Sequence, residues 1–244
     1  MYNDGVQYVW QVIEVAVRAR SARATLGQRR RIHKETNKRR ALLEAAYRVF
    51  RERGYLEATV SDIIREAGVS RATFYAYFSD KDDIFITLYQ ETMADLRRRM
   101  GLPGARGERR EPHPVDPQFL RSVVQKRIAL YFSFWEQEQR LMEGAMVLQS
   151  ISPETGAKML ETEFLSEREV ARWLQQDKEA GLLGDVEPAV AVEALVSMIA
   201  WLAFRYFVLK SVNIRDLTIE QLAEQLTNVW FDGVYRCGAT TKPE

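Results

Sequence analysis

Ten of the 23 residues from Arg18 to Arg40 are Lys or Arg and only Glu35 opposes them, a local charge of +9. A run of this density attracts a polyanion, because neutralising each phosphate releases a condensed counterion. Nucleic acid is the first partner to consider, with a solvated charged face as the plain alternative. Other chemistries are poorly supplied. Cys237 is the single cysteine, so it makes no internal disulfide or thiolate zinc site by itself. Of the two histidines, His33 lies in the basic run and His113 in a proline-rich stretch, which leaves no histidine triad or multi-histidine metal site. The remaining carboxylates, lysines and arginines form no catalytic constellation, so neither an enzyme nor a bound metal or cofactor is expected.

The elements that must position the basic groups are helical. At 244 residues, 46% hydrophobic and 28% charged, the chain has the composition of a globular protein with one large or two small domains. Its net charge of +1 hides an asymmetry: residues 1–100 hold 19 basic and 13 acidic residues, and the remainder 16 and 21. Gly101 to Pro117 contains three glycines and four of the seven prolines and reads as a linker between the two parts. No run of two-residue alternation and no internal repeat stands out. The longest weakly polar stretch, Ala194 to Phe204, is bounded by Glu193 and Arg205 and falls short of the ~20 residues of a membrane span. The apolar stretch from Val6 to Val17 precedes the basic residues and carries Glu14, unlike a signal peptide. With one cysteine, a reducing intracellular compartment is expected.

Leu42, Leu43, Ala46, Val49 and Phe50 recur at helical spacing up to Gly54. Thr59 and Asp62 form a capping box for a second helix carrying Val60, Ile63, Ile64 and Ala67, which stops at Gly68. Ser70 caps a third helix, Arg71 to Phe78, with Phe74 and Phe78 on one face. Ser79 and Asp82 start a fourth, which runs to about Arg99 and turns Ile84, Phe85, Leu88, Tyr89 and Leu96 inward. Two short helices around a Gly-containing turn describe a helix-turn-helix, whose second helix enters the major groove.

Ala45 to Lys81, AAYRVFRERGYLEATVSDIIREAGVSRATFYAYFSDK, closely resembles the DNA-binding domain of TetR-family transcriptional regulators, with dense motif agreement from Leu42 to Tyr89. Beyond Gly101 the likeness rests on size and helical pattern alone. The resemblance implies that Arg71, Ala72 and Thr73 occupy base-reading positions in the turn capped by Ser70. The Arg71 fork matches guanine O6 and N7, and a phosphate contact is its alternative. Thr73 offers a hydroxyl and a methyl, or simply supports the cap. Ala72 replaces a glycine common in the family, and Ala76 a larger residue, which reduces readout there. Tyr75 and Tyr77 match phosphate-contacting positions, with packing as the alternative for each. Lys81 falls where the family clamps a phosphate, and Thr59 where the second helix meets the DNA backbone. The basic arm, Arg29, Arg30, Arg31, Lys38, Arg39 and Arg40, is placed to reach an adjacent minor groove. Val9, Val12, Ile13, Ala16 and Val17 upstream fit a packed amphipathic helix, a membrane-surface helix or a disordered leader.

In the second half, helical patterns cover about Pro117 to Gln139, Leu141 to Ile151, Glu154 to Ala180, Pro188 to Lys210 and Thr218 to Arg236. By the resemblance, the last two helices pair with their symmetry mates in a homodimer, through Ala194, Met198, Trp201, Arg205, Leu222, Leu226, Val229 and Trp230. Phe132, Trp135, Met142, Met146, Met159, Phe164, Trp173, Trp201 and Phe204 supply a lining for a bulky apolar effector, or are core. Arg205 anchors an effector's acid group or pairs with Glu193 or another acid at the dimer interface.

The expectation is an all-α protein: an extension over 1–36, a helix-turn-helix domain over 37–100, a linker over 101–117, a helical effector and dimerisation domain over 118–237, and a tail over 238–244. Its function would be that of a ligand-responsive homodimeric regulator, most often a repressor. It would bind a palindromic double-stranded DNA operator in a bacterial cytoplasm, nucleoid-associated when bound, and respond to an acyl thioester or lipophilic compound. A tilt of the fourth helix would couple effector to DNA. The alternative is a nonspecific DNA-architectural or anionic-surface-binding helical protein.

Overall fold

A computed structural model describes residues 26–102 and 116–235, without the side chains of 26–36, 117, 161–166 and 169. The expected leader, most of the linker, the tail with Cys237, the Arg29 to Arg31 side chains and that of Phe164 lie outside the described residues. The described chain is helical, and its one β-type pairing is an isolated bridge between Leu183 and Tyr235. In order the helices are α1 (Leu26–Glu57), α2 (Val60–Ala67), α3 (Arg71–Tyr75), α4 (Lys81–Arg99), α5 (Pro117–Gln137), α6 (Gln139–Ile151), α7 (Pro153–Glu179), α8 (Pro188–Phe207) and α9 (Ile219–Val234).

Contacts divide the chain into two units. The first runs to Asp95 and takes in Arg140–Leu160; the second comprises Leu96–Gln139 and Glu161 onward. The boundaries therefore fall inside α4, at the first residue of α6 and inside α7.

In the first unit, α1 begins at Leu26, well before the apolar pattern that starts at Leu42. The basic run from Arg29 to Arg40 is a helical extension and not an extended arm. Arg, Lys, Gln and Ala are good helix formers, and no Gly or Pro interrupts residues 28–53. Gly54, at φ 74° and ψ 170°, breaks the helix with a backbone conformation that side chains disfavour. The core comprises Leu42, Leu43, Ala46, Val49 and Phe50 of α1, Ile63 of α2, Phe74 and Phe78 around α3, and Ile84, Phe85, Leu88 and Tyr89 of α4. α6 belongs to the same unit, and its Gly144 allows close approach: a Cβ there would lie 2.8 Å from Tyr55 Cβ and 2.9 Å from Phe85 Cζ.

In the second unit, Leu120, Leu174, Leu183, Ala191, Val192, Trp230, Phe231, Val234 and Tyr235 form one core where α5, α8 and α9 pack. The Trp230 indole donates to the Ala191 carbonyl at 2.8 Å, and the Tyr235 hydroxyl to Asp177 at 2.9 Å. Trp135 stacks on Phe207 at 6.1 Å between ring centroids. α8 has 20 residues and is, by length and composition, long enough to cross a membrane, longer than the stretch counted from Ala194. Ala191, Val192, Ile199, Ala203 and Phe207 on it are nevertheless buried in the unit, and Glu193 and Arg205 lie within its span.

Candidate nucleic-acid interface

The interface is built by caps. Thr59 closes the expected box: its hydroxyl accepts from the Asp62 N–H at 3.2 Å, and its own N–H donates to the Asp62 carboxylate at 3.2 Å. Hydrogen bonds from the Thr59 hydroxyl, the nearby Arg53 guanidinium, the Arg65 contact and the Thr59 N–H hold the Asp62 carboxyl below its usual range, against the opposing effect of burial. A lowered native pKa means that this stabilisation is present above the unfolded value of about 4 and is lost as pH falls through the native one. We expect wild type and Asp62→Asn to differ in urea midpoint at pH 6 and to converge in strong acid. Curves that stay parallel down to pH 2 would remove the carboxylate's role.

α2 ends at Gly68, in the left-handed region at φ 63°, whose N–H reaches the Arg65 and Ile64 carbonyls. Two residues later Ser70 caps α3 by accepting from the Thr73 N–H at 3.2 Å, with the Thr73 hydroxyl 3.0 Å from its own. α3 stops at Tyr75 instead of Phe78. The Tyr77 N–H turns to the Phe74 carbonyl at 2.9 Å, a three-residue closure that tightens the end while keeping Phe74 and Phe78 buried. α4 is capped by Asp80, which accepts from the Asp83 N–H at 2.8 Å, while Asp83 accepts from the Ser79 N–H at 2.8 Å. The cap is thus one residue displaced from the expected Ser79 and Asp82.

With Phe74 and Phe78 inward, α3 presents Arg71, Ala72, Tyr75 and Ala76 to solvent, Thr73 and Tyr77 being half-buried. The Arg71 guanidinium lies 5.3 Å over the Tyr75 ring and donates to its hydroxyl at 3.2 Å. Tyr75 is 46% exposed, edge-on to Phe74 at 5.3 Å, so it supports the guanidinium at the surface and is not buried. Thr59 is exposed and Lys81 half-buried, its ammonium 2.8 Å from the Tyr55 carbonyl and 4.3 Å from that ring's centroid.

The basic residues upstream differ among themselves. Lys38 is exposed. Arg39 is fixed to the body, 3.2 Å from Glu91 and 5.5 Å over the Phe78 ring, and Arg40 pairs with Glu44 at 3.6 Å. Burial raises the Glu91 carboxyl against the opposing pull of Arg39.

The residues expected to line an effector pocket fall in both units. Met142, Met146 and Met159 belong to the first, with Met142 and Met159 buried. Phe132, Trp135, Trp173, Trp201, Phe204 and Arg205 belong to the second. Phe132 and Trp135 are buried, whereas Trp201 is 54% exposed, and Arg205 is exposed with its guanidinium 3.3 Å from the Ser211 hydroxyl. Of the expected interface set, Ala194, Trp201, Arg205 and Val229 are exposed and Met198 and Leu226 half-buried, while Leu222 and Trp230 are buried within the unit's own core. Those two pack the protomer and are not presented to a partner.

Sequence reasoning passed over Tyr55 and Gly144, and took Asp82 only as a helix start. The signal available was a glycine inside a helical pattern, which costs about 1 kcal/mol relative to Ala and marks a close approach.

Residues 42–88 match the model of the bacterial regulatory proteins of the tetR family. The chain is 42% identical over 59 residues to the fatty acid metabolism regulator protein of Bacillus subtilis, covering 24% of this chain and 30% of that one. It is 31% identical over 120 residues to the transcriptional repressor AcnR of Corynebacterium glutamicum, covering 46% and 64%. The matches thus span less than two thirds of these relatives. The fold is similar to that of the regulator FadR from Bacillus subtilis, solved in complex with stearoyl-CoA, at a TM-score of 0.61 and 20% identity over 79% of this chain and 97% of that one.

Proposed function

We propose, from the match of residues 42–88 to the model of the bacterial regulatory proteins of the tetR family, that the chain is a homodimeric, ligand-responsive repressor of that family binding a palindromic operator. The observation that carries this reading is the Ser70-capped α3, which buries Phe74 and Phe78 and leaves Arg71, Ala72 and Tyr75 on the opposite, exposed face. Arg71 reads a guanine; Tyr75, Tyr77, Lys81, Ser70 and Thr59 hold phosphates, and Thr73 contacts the groove edge. The helical extension of α1, through Lys38 and the arginines upstream, adds sequence-independent attraction. Such a protein works in the cytoplasm, on the nucleoid when bound.

Selecting duplexes from random DNA with the purified full chain tests the reading. A twofold-symmetric site with half-sites ~34–36 Å apart or a multiple of it is expected. Equal recovery of all duplexes would favour the architectural alternative.

A second copy of the chain covers the open side of α8 and α9. Ala194, Met198, Trp201 and Arg205 recur at four- and three-residue steps on α8, and Val229 on α9 is 67% exposed. Large apolar side chains left open on two long helices are the signature of an interface. Val229→Glu is expected to shift the protein from dimer to monomer in sedimentation at micromolar concentration, and an unchanged mass would place the interface elsewhere.

The effector is a bulky apolar compound with an oxygen acceptor, an acyl thioester being the leading class. Phe132, Trp135 and Phe207 give an aromatic surround, and the buried Trp135 indole N–H has no hydrogen-bond partner among the described residues. The stearoyl-CoA held by the structurally similar FadR supports this class. Long-chain acyl thioesters should release the selected operator, and release by small polar compounds alone would overturn it.

A further inference from the structure

Tyr55 joins three parts of the first unit. Its carbonyl accepts from the Lys81 ammonium at 2.8 Å, and its ring faces the same ammonium at 4.3 Å. Its hydroxyl donates to Asp82 at 2.5 Å. Its Cβ is the atom that a side chain at Gly144 of α6 would meet first, at 2.8 Å. The ring is fixed by Phe85 at 4.9 Å and by Phe50 at 6.3 Å, and the residue is only 5% exposed. Burial and the Asp82 carboxylate push the phenol well above its ordinary range, so the hydroxyl stays a donor at all working pH values.

We propose that Tyr55 is a positioning residue for the Lys81 phosphate contact, and that the bare backbone of Gly144 keeps it in register by letting α6 seat against it. The inference rests on the reading of Lys81 as a phosphate contact. A lysine ammonium has three donors and a flexible stem that loses rotamer freedom on binding. With one donor given to the Tyr55 carbonyl and the ring beneath it, the ammonium is held in place before DNA arrives, and two donors remain for phosphate oxygens. Asp82, next in sequence, is a competing partner for that ammonium. The Tyr55 hydroxyl occupies the Asp82 carboxylate and so leaves Lys81 to the DNA. A shift of Tyr55 under pressure from α6 moves carbonyl, ring and hydroxyl together, which makes the grip of Lys81 depend on a helix from the other side of the linker.

The test is a double-mutant cycle on the full-length protein with the duplex selected from random DNA as probe. Tyr55→Phe removes one hydroxyl and no volume; about a two- to tenfold loss of affinity is expected, the scale of one hydrogen bond. Base preference should be unchanged. Lys81→Ala should weaken all duplexes alike and lower the salt slope by about one. The signature is coupling: in the Lys81→Ala background Tyr55→Phe should cost nothing further. Gly144→Ala, assayed at a temperature where its circular dichroism matches wild type, should show the same Lys81-dependent loss. Additive losses for Tyr55→Phe and Lys81→Ala, or wild-type affinity in folded Gly144→Ala, would overturn the positioning role. If Lys81→Ala alone leaves affinity and salt slope untouched, the phosphate contact itself fails, and the positioning role with it.

Discussion

Replacing Phe85 with Ala is expected to destabilise the first unit by about 3–5 kcal/mol, the usual cost of emptying a buried aromatic site. Phe85 is fully buried, edge-on to Phe50 at 5.0 Å and to Tyr55 at 4.9 Å, and the α6 backbone closes over it at Gly144. The space left is bordered by the Phe50 and Tyr55 rings and by the α6 backbone at Gly144, which limits how far the surroundings can collapse into it. Against a domain stability of ~5–15 kcal/mol, a loss of this size populates unfolded forms at moderate urea. The two units can be followed separately in a Trp10→Phe background: the other four tryptophans, Trp135, Trp173, Trp201 and Trp230, all lie in the second, so fluorescence reports that unit while circular dichroism follows both. An early far-ultraviolet transition with the tryptophan transition in place is expected. A loss below about 1 kcal/mol would mean that the Phe50, Tyr55 and Gly144 contacts do not close the core.

Arg71→Ala is expected to weaken the selected operator by about 1–3 kcal/mol and to relax preference at one base pair of each half-site. In the free protein the guanidinium rests on Tyr75, a contact worth about 0.5–1 kcal/mol at an exposed site. That contact must loosen or turn with the side chain when a guanine is engaged, so Tyr75→Phe, which removes the 3.2 Å hydrogen bond but keeps the ring, should have a smaller effect on affinity. Loss of affinity that is uniform across all duplexes, with base preference intact, would reassign Arg71 to the DNA backbone.

The helix-turn-helix was legible because its signals are local. Thr59 with Asp62, Gly68, and Ser70 with Thr73 each satisfy backbone groups within four residues, so residue type and spacing specify them before any tertiary contact forms. Helix ends were less so: α3 is three residues shorter than its aromatic spacing implied, since Phe74 and Phe78 can share a face through a tight turn as well as through a helix. Leu222 and Trp230 fit an interface by periodicity, but a fully apolar helix face does not say whether its cover is the same chain or another; the Trp230 bond to Ala191 answers for that residue. Tyr55 and Gly144 are 89 positions apart, and nothing local to either announces the other.

The first unit is assembled from two stretches of chain, one ending at Asp95 and one spanning Arg140–Leu160. A hybrid regulator that splices residues up to the linker onto a foreign effector half would therefore replace the helix that lies on Tyr55 and Phe85 with a stranger's. Unless the incoming helix has glycine or an equally small residue where Gly144 stands, its Cβ would come within 3 Å of both side chains. The exchangeable cassette in this protein is discontinuous: the packing beneath the operator-binding face travels intact when Arg140–Leu160 travels with it.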